Sequence, residues 1–199
     1  MSTRTGKMMW IGLTIAVFLN LTPLAVAAED EEDRTIVSGV AFDNVLEVGP
    51  ERLELVGAGL LRYMIVIRAY AAALYLGEGH SAEELFDDIP KCLQIDYFHN
   101  IPAQGFIKAT QHGLEANLSP VDLERLKPQI ERLYACYADI KKHDRYSFMY
   151  IPGSGAELVL NEKTLCRFDD LDFTNAVLSI WLGDNPLDND LKQHLLGLK

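Results

Sequence analysis

The chain is poor in the residues that announce chemistry. It has no Gly-x-Ser-x-Gly, no Walker loop and no dinucleotide fingerprint, so a nucleophile elbow and the common phosphate cradles are excluded. Its five histidines, His80, His99, His112, His143 and His194, never fall at metal-ligand spacing, and no metal or cofactor is expected. The Asp184–Asp190 run lacks the glycine and closing glutamate of a calcium loop, so helix capping accounts for it better. Cysteine is scarce. Cys92, Cys136 and Cys166 are too few for a disulfide scaffold and form no Cys-x-x-Cys. One pair can bridge in an oxidising compartment, with the pairing left open, but their apolar neighbours favour buried structural thiols.

Basic residues are also few, 18 against 29 acidic ones. An acidic chain repels polyanions, so neither nucleic acid nor an anionic membrane surface is an expected partner. Residues 1–28 read as an export signal: Arg4 and Lys7, an apolar run from Met8 to Leu21, then Ala25-Val-Ala27. The apolar run is short for a membrane anchor, so cleavage is expected, with no stable span afterwards. The protein is then exported, and periplasmic in a Gram-negative bacterium. Residues 29–34 form an acidic, solvated N-terminus, and residues 35–199 have the size of one domain.

What is present is an apolar stretch, Val56 to Leu76, that carries Arg62, Arg68 and three tyrosines. Arg stays protonated, so a buried guanidinium needs a carboxylate, an anionic ligand or a route to water. The stretch reads as two strands, 60–67 and 69–76, bent near Arg68, with a helix as the competing reading of its alanine-rich half. Before it come one or two strands over 35–48 and a strand from Leu53, broken at Gly57-Ala-Gly59. Ser81-Ala-Glu-Glu84 opens a short helix that Pro90 stops. A strand follows over 92–98, then helical spacing of Phe106, Ile107, Thr110, Leu114 and Leu118. Ser119-Pro120 starts a second helix, with Pro128 as a kink. Three strands lie at 146–151, 157–160 and 165–168. Asp172 caps a helix ended by Gly183, and Asp188 starts a last one. This order argues an α+β domain, an antiparallel sheet with a layer of helices packed on one face.

Five segments carry a resemblance: Gly57–Arg62, Ala72–Leu76, Gly113–Asn117, Tyr150–Gly155 and Ser179–Pro186. Together they resemble the chalcone isomerase-like family, its bacterial exported branch, over residues 35–197. The resemblance implies the chalcone isomerase-like fold, with a ligand cleft between sheet and helices. In the isomerases an Arg holds the substrate phenolate while a Thr, a Tyr and an Asn organise water and ketone. Carried over, the Arg falls on Arg62, the Thr at Tyr70, the Tyr at Phe106, the Asn at Gly113, and a late-helix polar residue near Ile180 or Trp181. Only the Arg survives, which argues against flavonoid isomerisation.

An Arg beside a Tyr instead resembles the fatty-acid-binding branch of the fold. The leading expectation is therefore a non-catalytic binder of a small amphipathic anion, a carboxylate or phenolate such as a fatty acid. Arg62 and Tyr70 would hold the head group, with Arg68 in reserve, and Met64, Val66, Phe106 and Ile107 as apolar wall. The alternatives are a cell-envelope interaction subunit whose cleft is plugged by Trp181 and Tyr70, and an intramolecular lyase acting on a phenolic enone.

Overall fold

The computed structural model describes residues 33–64 and 66–199, so the export signal and most of the acidic N-terminus lie outside the described residues. Chain order is β1 (Arg34–Val37), β2 (Val40–Asp43), β3 (Val45–Val48), β4 (Glu51–Tyr63), β5 (Ile67–Gly77), β6 (Lys91–Tyr97), α1 (Ala103–Asn117), α2 (Pro120–Cys136), β7 (Arg145–Ile151), β8 (Gly155–Leu160), β9 (Lys163–Phe168), α3 (Leu171–Leu182) and α4 (Asn189–Leu195). Strands β3 to β9 form one antiparallel meander in sequence order, and β1 with β2 forms a separate hairpin. The α+β expectation holds: an antiparallel sheet with four helices.

Alternation along β5 sorts the core into two layers. Tyr70, Ala72, Leu74 and Leu76 join the larger cluster, which includes Phe173, Val177 and Ile180 from α3. Ala71, Ala73 and Tyr75 join a smaller cluster with Phe42 from β2 and Leu53 from β4. The helices therefore cover one face, and the β1–β2 hairpin shields part of the other. Arg145 fastens that hairpin, donating to the Ala41 carbonyl at 2.9 Å with its guanidinium 4.7 Å from the Phe42 ring centroid. Ion-pairing to Asp96 at 3.4 Å spares its charge from isolation.

Several boundaries differ from the sequence reading, each for a physical reason. Gly57 and Gly59 do not break β4; they admit α4. A Cβ at Gly57 would lie 2.1 Å from the His194 carbonyl oxygen, and one at Gly59 would lie 2.7 Å from the His194 Cβ. β4 ends at Tyr63 and β5 begins at Ile67, with Arg62 paired to Arg68 across the hairpin, so Arg68 lies within β5 rather than at a bend between strands. Ser81 and Glu84 do form the capping box, but it closes only one 3₁₀ turn, Ala82–Glu84. Asp170, not Asp172, caps α3 through the Phe173 amide, and Pro128 sits within a continuous α2. Helix α1 has no cap of its own; Asp139 accepts from the Ala103 amide at 2.8 Å.

Lys91 is buried, although no local pattern in the sequence signals it. Its ammonium donates to the Leu85 and Asp87 carbonyls at 2.7 and 2.6 Å, locking the loop before β6. Burial pulls the ammonium down to about 8, against the opposing influence of Asp88 and Asp87.

The cysteines also divide differently from the sequence expectation. Cys136, the last residue of α2, is disulfide-bonded to Cys166 of β9, while Cys92 is a buried free thiol. Burial raises the Cys92 thiol to about 12. An oxidised sample should therefore show no reactive thiol when folded and one in denaturant, by thiol titration. The bridge closes a loop of 30 residues, for which chain entropy gives about 3–4 kcal/mol. Reducing it should lower the melting temperature by roughly 10 °C; an unchanged melting temperature would contradict the link.

Candidate functional site

Between the helix-covered face of the sheet and helices α1–α3 lies a cavity of about 200 Å³. Strands β5 and β6 supply Ala69, Tyr70, Ile95 and Tyr97; β7 supplies Tyr146 and Phe148. Helix α1 contributes Phe106 and Thr110, and α3 contributes Val177 and Trp181. Tyr137, just past α2, completes the far wall. Each side chain points inward for a local reason. Tyr70, Ile95 and Tyr97 occupy helix-facing positions of alternating strands, and Phe106 and Thr110 are four residues apart on one helical stripe.

The centre is aromatic. Tyr97 meets Phe106 edge-on at 5.3 Å between centroids and Tyr70 at 5.5 Å, while Phe106 stacks on Tyr137 at 5.5 Å. Such pairs fix ring orientation beyond what area burial alone achieves. Two polar spots interrupt the apolar wall. Trp181 Nε1 donates to the Tyr70 hydroxyl at 2.9 Å, and the Thr110 and Tyr137 hydroxyls share a hydrogen bond of 2.7 Å. The Tyr146 hydroxyl accepts from the Ala138 amide at 3.0 Å and is also satisfied. The Tyr97 ring is 5% exposed, and its hydroxyl has no hydrogen-bond partner among the described residues.

Burial raises the Tyr70, Tyr97 and Tyr137 hydroxyls well above the usual phenol range, so all three stay protonated donors at neutral pH. No charged side chain among the described residues lines the cavity. Among the described residues there is also no cluster of three or more metal-ligating side chains, and no helix is long and apolar enough to cross a membrane.

Of the five candidate residues, the structure brings Tyr70 and Phe106 together on the cavity wall. It keeps Arg62, Met64 and Arg68 out of it. All three are exposed, and Met64 is 72% accessible. The expectation of a guanidinium buried in an apolar cleft is thus corrected for Arg62. β5 pairs with β6 only from Tyr70 onwards, so the end of the β4–β5 hairpin projects past its neighbour into solvent. Arg68 instead lies 5.1 Å from the Phe98 ring centroid, and its guanidinium donates to the Ser38 carbonyl at 3.4 Å. Val66 and Ile107 do not line the cavity either.

Tyr97, Thr110, Tyr137 and Tyr146 were missed as site residues. A signal existed for two of them: Tyr97 alternates with Leu93 and Ile95, and Thr110 shares the helical stripe of Phe106.

A curved antiparallel meander roofed by helices around an apolar cavity is the architecture of a small-ligand pocket. The family model for chalcone isomerase-like proteins matches residues 34–197, and the chain belongs to that family. No curated protein sequence matches it. Among solved structures, an Arabidopsis thaliana fatty-acid binding protein shares the fold, with a TM-score of 0.60 at 14% identity over 80% of this chain and 93% of that one.

Two buried groups of opposite sign shape the alkaline stability profile. Native Lys91 releases its proton from about pH 8, whereas the unfolded chain holds it to about 10.4, so stability rises with pH across that window. The tyrosines act the other way. Unfolded phenols ionise from about pH 10 while the buried ones stay protonated, so stability falls above that point. Chemical denaturation from pH 7 to 11 should show a maximum between 8 and 10, and a monotonic rise through pH 11 would refute the tyrosine assignment.

Proposed function

We propose that this chain is an exported, non-catalytic binding protein for a small amphipathic molecule bearing a carboxylic or phenolic group, held in the aromatic cavity. The Tyr97 hydroxyl, which borders the otherwise apolar chamber and makes no hydrogen bond among the described residues, is the observation that carries this reading. A hydroxyl on an apolar wall without a protein partner is free to donate to a ligand oxygen, a hydrogen bond worth about 1 kcal/mol net. Tyr70 adds a second donor, because its oxygen accepts from Trp181 and its own proton has no other partner among the described residues. Both donors are neutral. A carboxylic acid is therefore bound more readily than its carboxylate, whose burial without a cation is costly.

Size selects further. An apolar cavity of roughly 150 Å³ already accepts benzene, while pockets for drug-sized ligands start at about 300 Å³. The present volume of about 200 Å³ suits a short-chain acid or one aromatic ring, and a long fatty acid needs the walls to part. The fatty-acid binding of the Arabidopsis structural relative supports the ligand class. Export is supported by the leader in residues 1–28 and by the Cys136–Cys166 bridge, a feature of oxidising compartments.

Catalysis by proton transfer needs a group that titrates near the working pH. The titratable groups on this cavity wall are tyrosines, four of them shifted upward by burial. Position 113 leaves no room for an asparagine, since a Cβ there would lie 2.6 Å from Ile180 Cγ2. Both observations weigh against the isomerase reading.

Native mass spectrometry of protein purified from its own host should show a retained organic acid or phenol. Titration with a short-chain carboxylic acid should change Trp181 fluorescence, with affinity rising as pH falls towards the acid's own pKa. Tyr97→Phe should weaken binding by about fivefold to tenfold, one hydrogen bond's worth, and Ala109→Trp, at an exposed position of the cavity lining, should weaken it further by obstructing the mouth. Affinity that increases with pH, or that survives both substitutions, would overturn the reading.

A further inference from the structure

The β4–β5 hairpin carries the second unusual surface of this molecule. At its end Met64, Val66 and Ile67 are 72%, 80% and 44% accessible, three large apolar side chains within four positions. Isolated exposed apolar residues are ordinary, but a contiguous protruding group of them marks an interaction surface. Arg62 and Arg68 flank the tip and face each other across the hairpin.

The neighbouring loops extend this basic collar. His99, Lys142 and His143 share one surface hollow of about 350 Å³ with Val66, Ile67 and Arg68. They are held in place from the backbone: His99 Nε2 pairs with the Arg68 carbonyl oxygen at 2.9 Å, and the Lys142 amide donates to Asn100 at 2.8 Å. The nearby acids are committed elsewhere. Asp96 is buried against Arg145, with His143 at 3.8 Å; Asp144 accepts from the Lys141 amide; Asp139 caps α1.

We infer that this hairpin is a membrane-docking wedge, its apolar tip entering an anionic bilayer surface while the collar of Arg62, Arg68 and Lys142 sits among the lipid headgroups. Charge complementarity selects a bilayer over other occupants. Convex apolar tips ringed by cations suit an interface where acyl chains lie beneath negative headgroups. A protein partner would need a matching acidic pocket with an apolar floor. The chain's formal charge of −11 does not oppose the contact. At physiological ionic strength charges more than about 8 Å from the headgroups are largely screened, so the collar outweighs distant acids. The overall acidity that argues against anionic membranes is thus locally reversed at this end.

Vesicle co-sedimentation of the full chain tests this, with phosphatidylcholine alone and with added phosphatidylglycerol. Comparing variants with the wild type cancels any contribution of residues 1–28. Met64→Ser with Val66→Ser should lower partition into the anionic vesicles at least tenfold, with unchanged thermal unfolding as the control. Lys142→Glu, on a separate loop, should reduce it severalfold. Raising salt from about 0.1 M to about 1 M shrinks the screening length from about 10 to 3 Å and should remove the preference for anionic lipid. Equal partition of wild type and both variants, or binding indifferent to lipid charge and salt, overturns the proposal. So does self-association that the tip substitutions abolish, since a second copy would then be the occupant.

Discussion

Burial of strand β5 on both faces is the constraint from which the rest of the structure follows. From Tyr70 to Gly77 every residue is buried, so each face of the central strand must be covered by something. Alternation sends Tyr70, Ala72, Leu74 and Leu76 to the helical layer, and Ala71, Ala73 and Tyr75 to the β1–β2 hairpin. Alanine at 71, 72 and 73 keeps the strand thin. On one face that lets Phe42 and Leu53 approach closely. On the other, Ala69 and Ala72 flank Tyr70 with little volume of their own, and space is left between sheet and helices.

The chemistry of that space depends on where charge is tolerated. Three cations illustrate the rule that a buried charge needs partners. Lys91 is buried, but two carbonyls hold it and its proton is already loosened. Arg145 is partly buried and sits against Asp96. Arg62, with no ion pair among the described residues, stands in water. The cavity is left to neutral donors, and burial keeps those donors neutral by pushing the tyrosines upward. The proposed selectivity for an uncharged acid or phenol would then be a consequence of the same desolvation that builds the core.

Periodicity made much of the fold legible. The alternation of Leu93, Ile95 and Tyr97 and the helical stripe through Phe106 and Leu114 are local signals, and both elements stand where they point. Tyr70 and Phe106 were reachable because a resemblance placed them at a cleft. Arg62 was misplaced because its apolar neighbours suggest burial, whereas exposure is decided by how far β6 extends alongside the hairpin. That is a property of sheet register, invisible in a local window. Gly57 and Gly59 misled for a similar reason: their partner, His194 of α4, is more than a hundred residues away. The Cys136–Cys166 bridge joins a helix end to an edge strand and carries no spacing motif. Tyr137 lay hidden past a helix terminus.

The hairpin tip and the chamber meet at the same end of strand β5, and this sets the geometry of any exchange between them. Ile67 at the tip and Tyr70 on the cavity wall are three residues apart, about 10 Å along a strand. Ala69 lines the chamber one step from Arg68. An amphipathic ligand moving through water exposes apolar surface at about 25 cal/mol per Å². On the proposed docking, a chamber opening towards the lipid surface would lower that barrier, because the apolar body would pass from acyl chains to aromatic wall directly. The basic collar would attract a departing or arriving carboxylate at the headgroup level, where it is still ionised. The phenol donors would then receive it protonated deeper in. Arginines outside and tyrosines inside are thus a sequence of environments of decreasing polarity at one end of a single strand, and on the proposed reading the exposed cations would act at the step where the ligand is still charged.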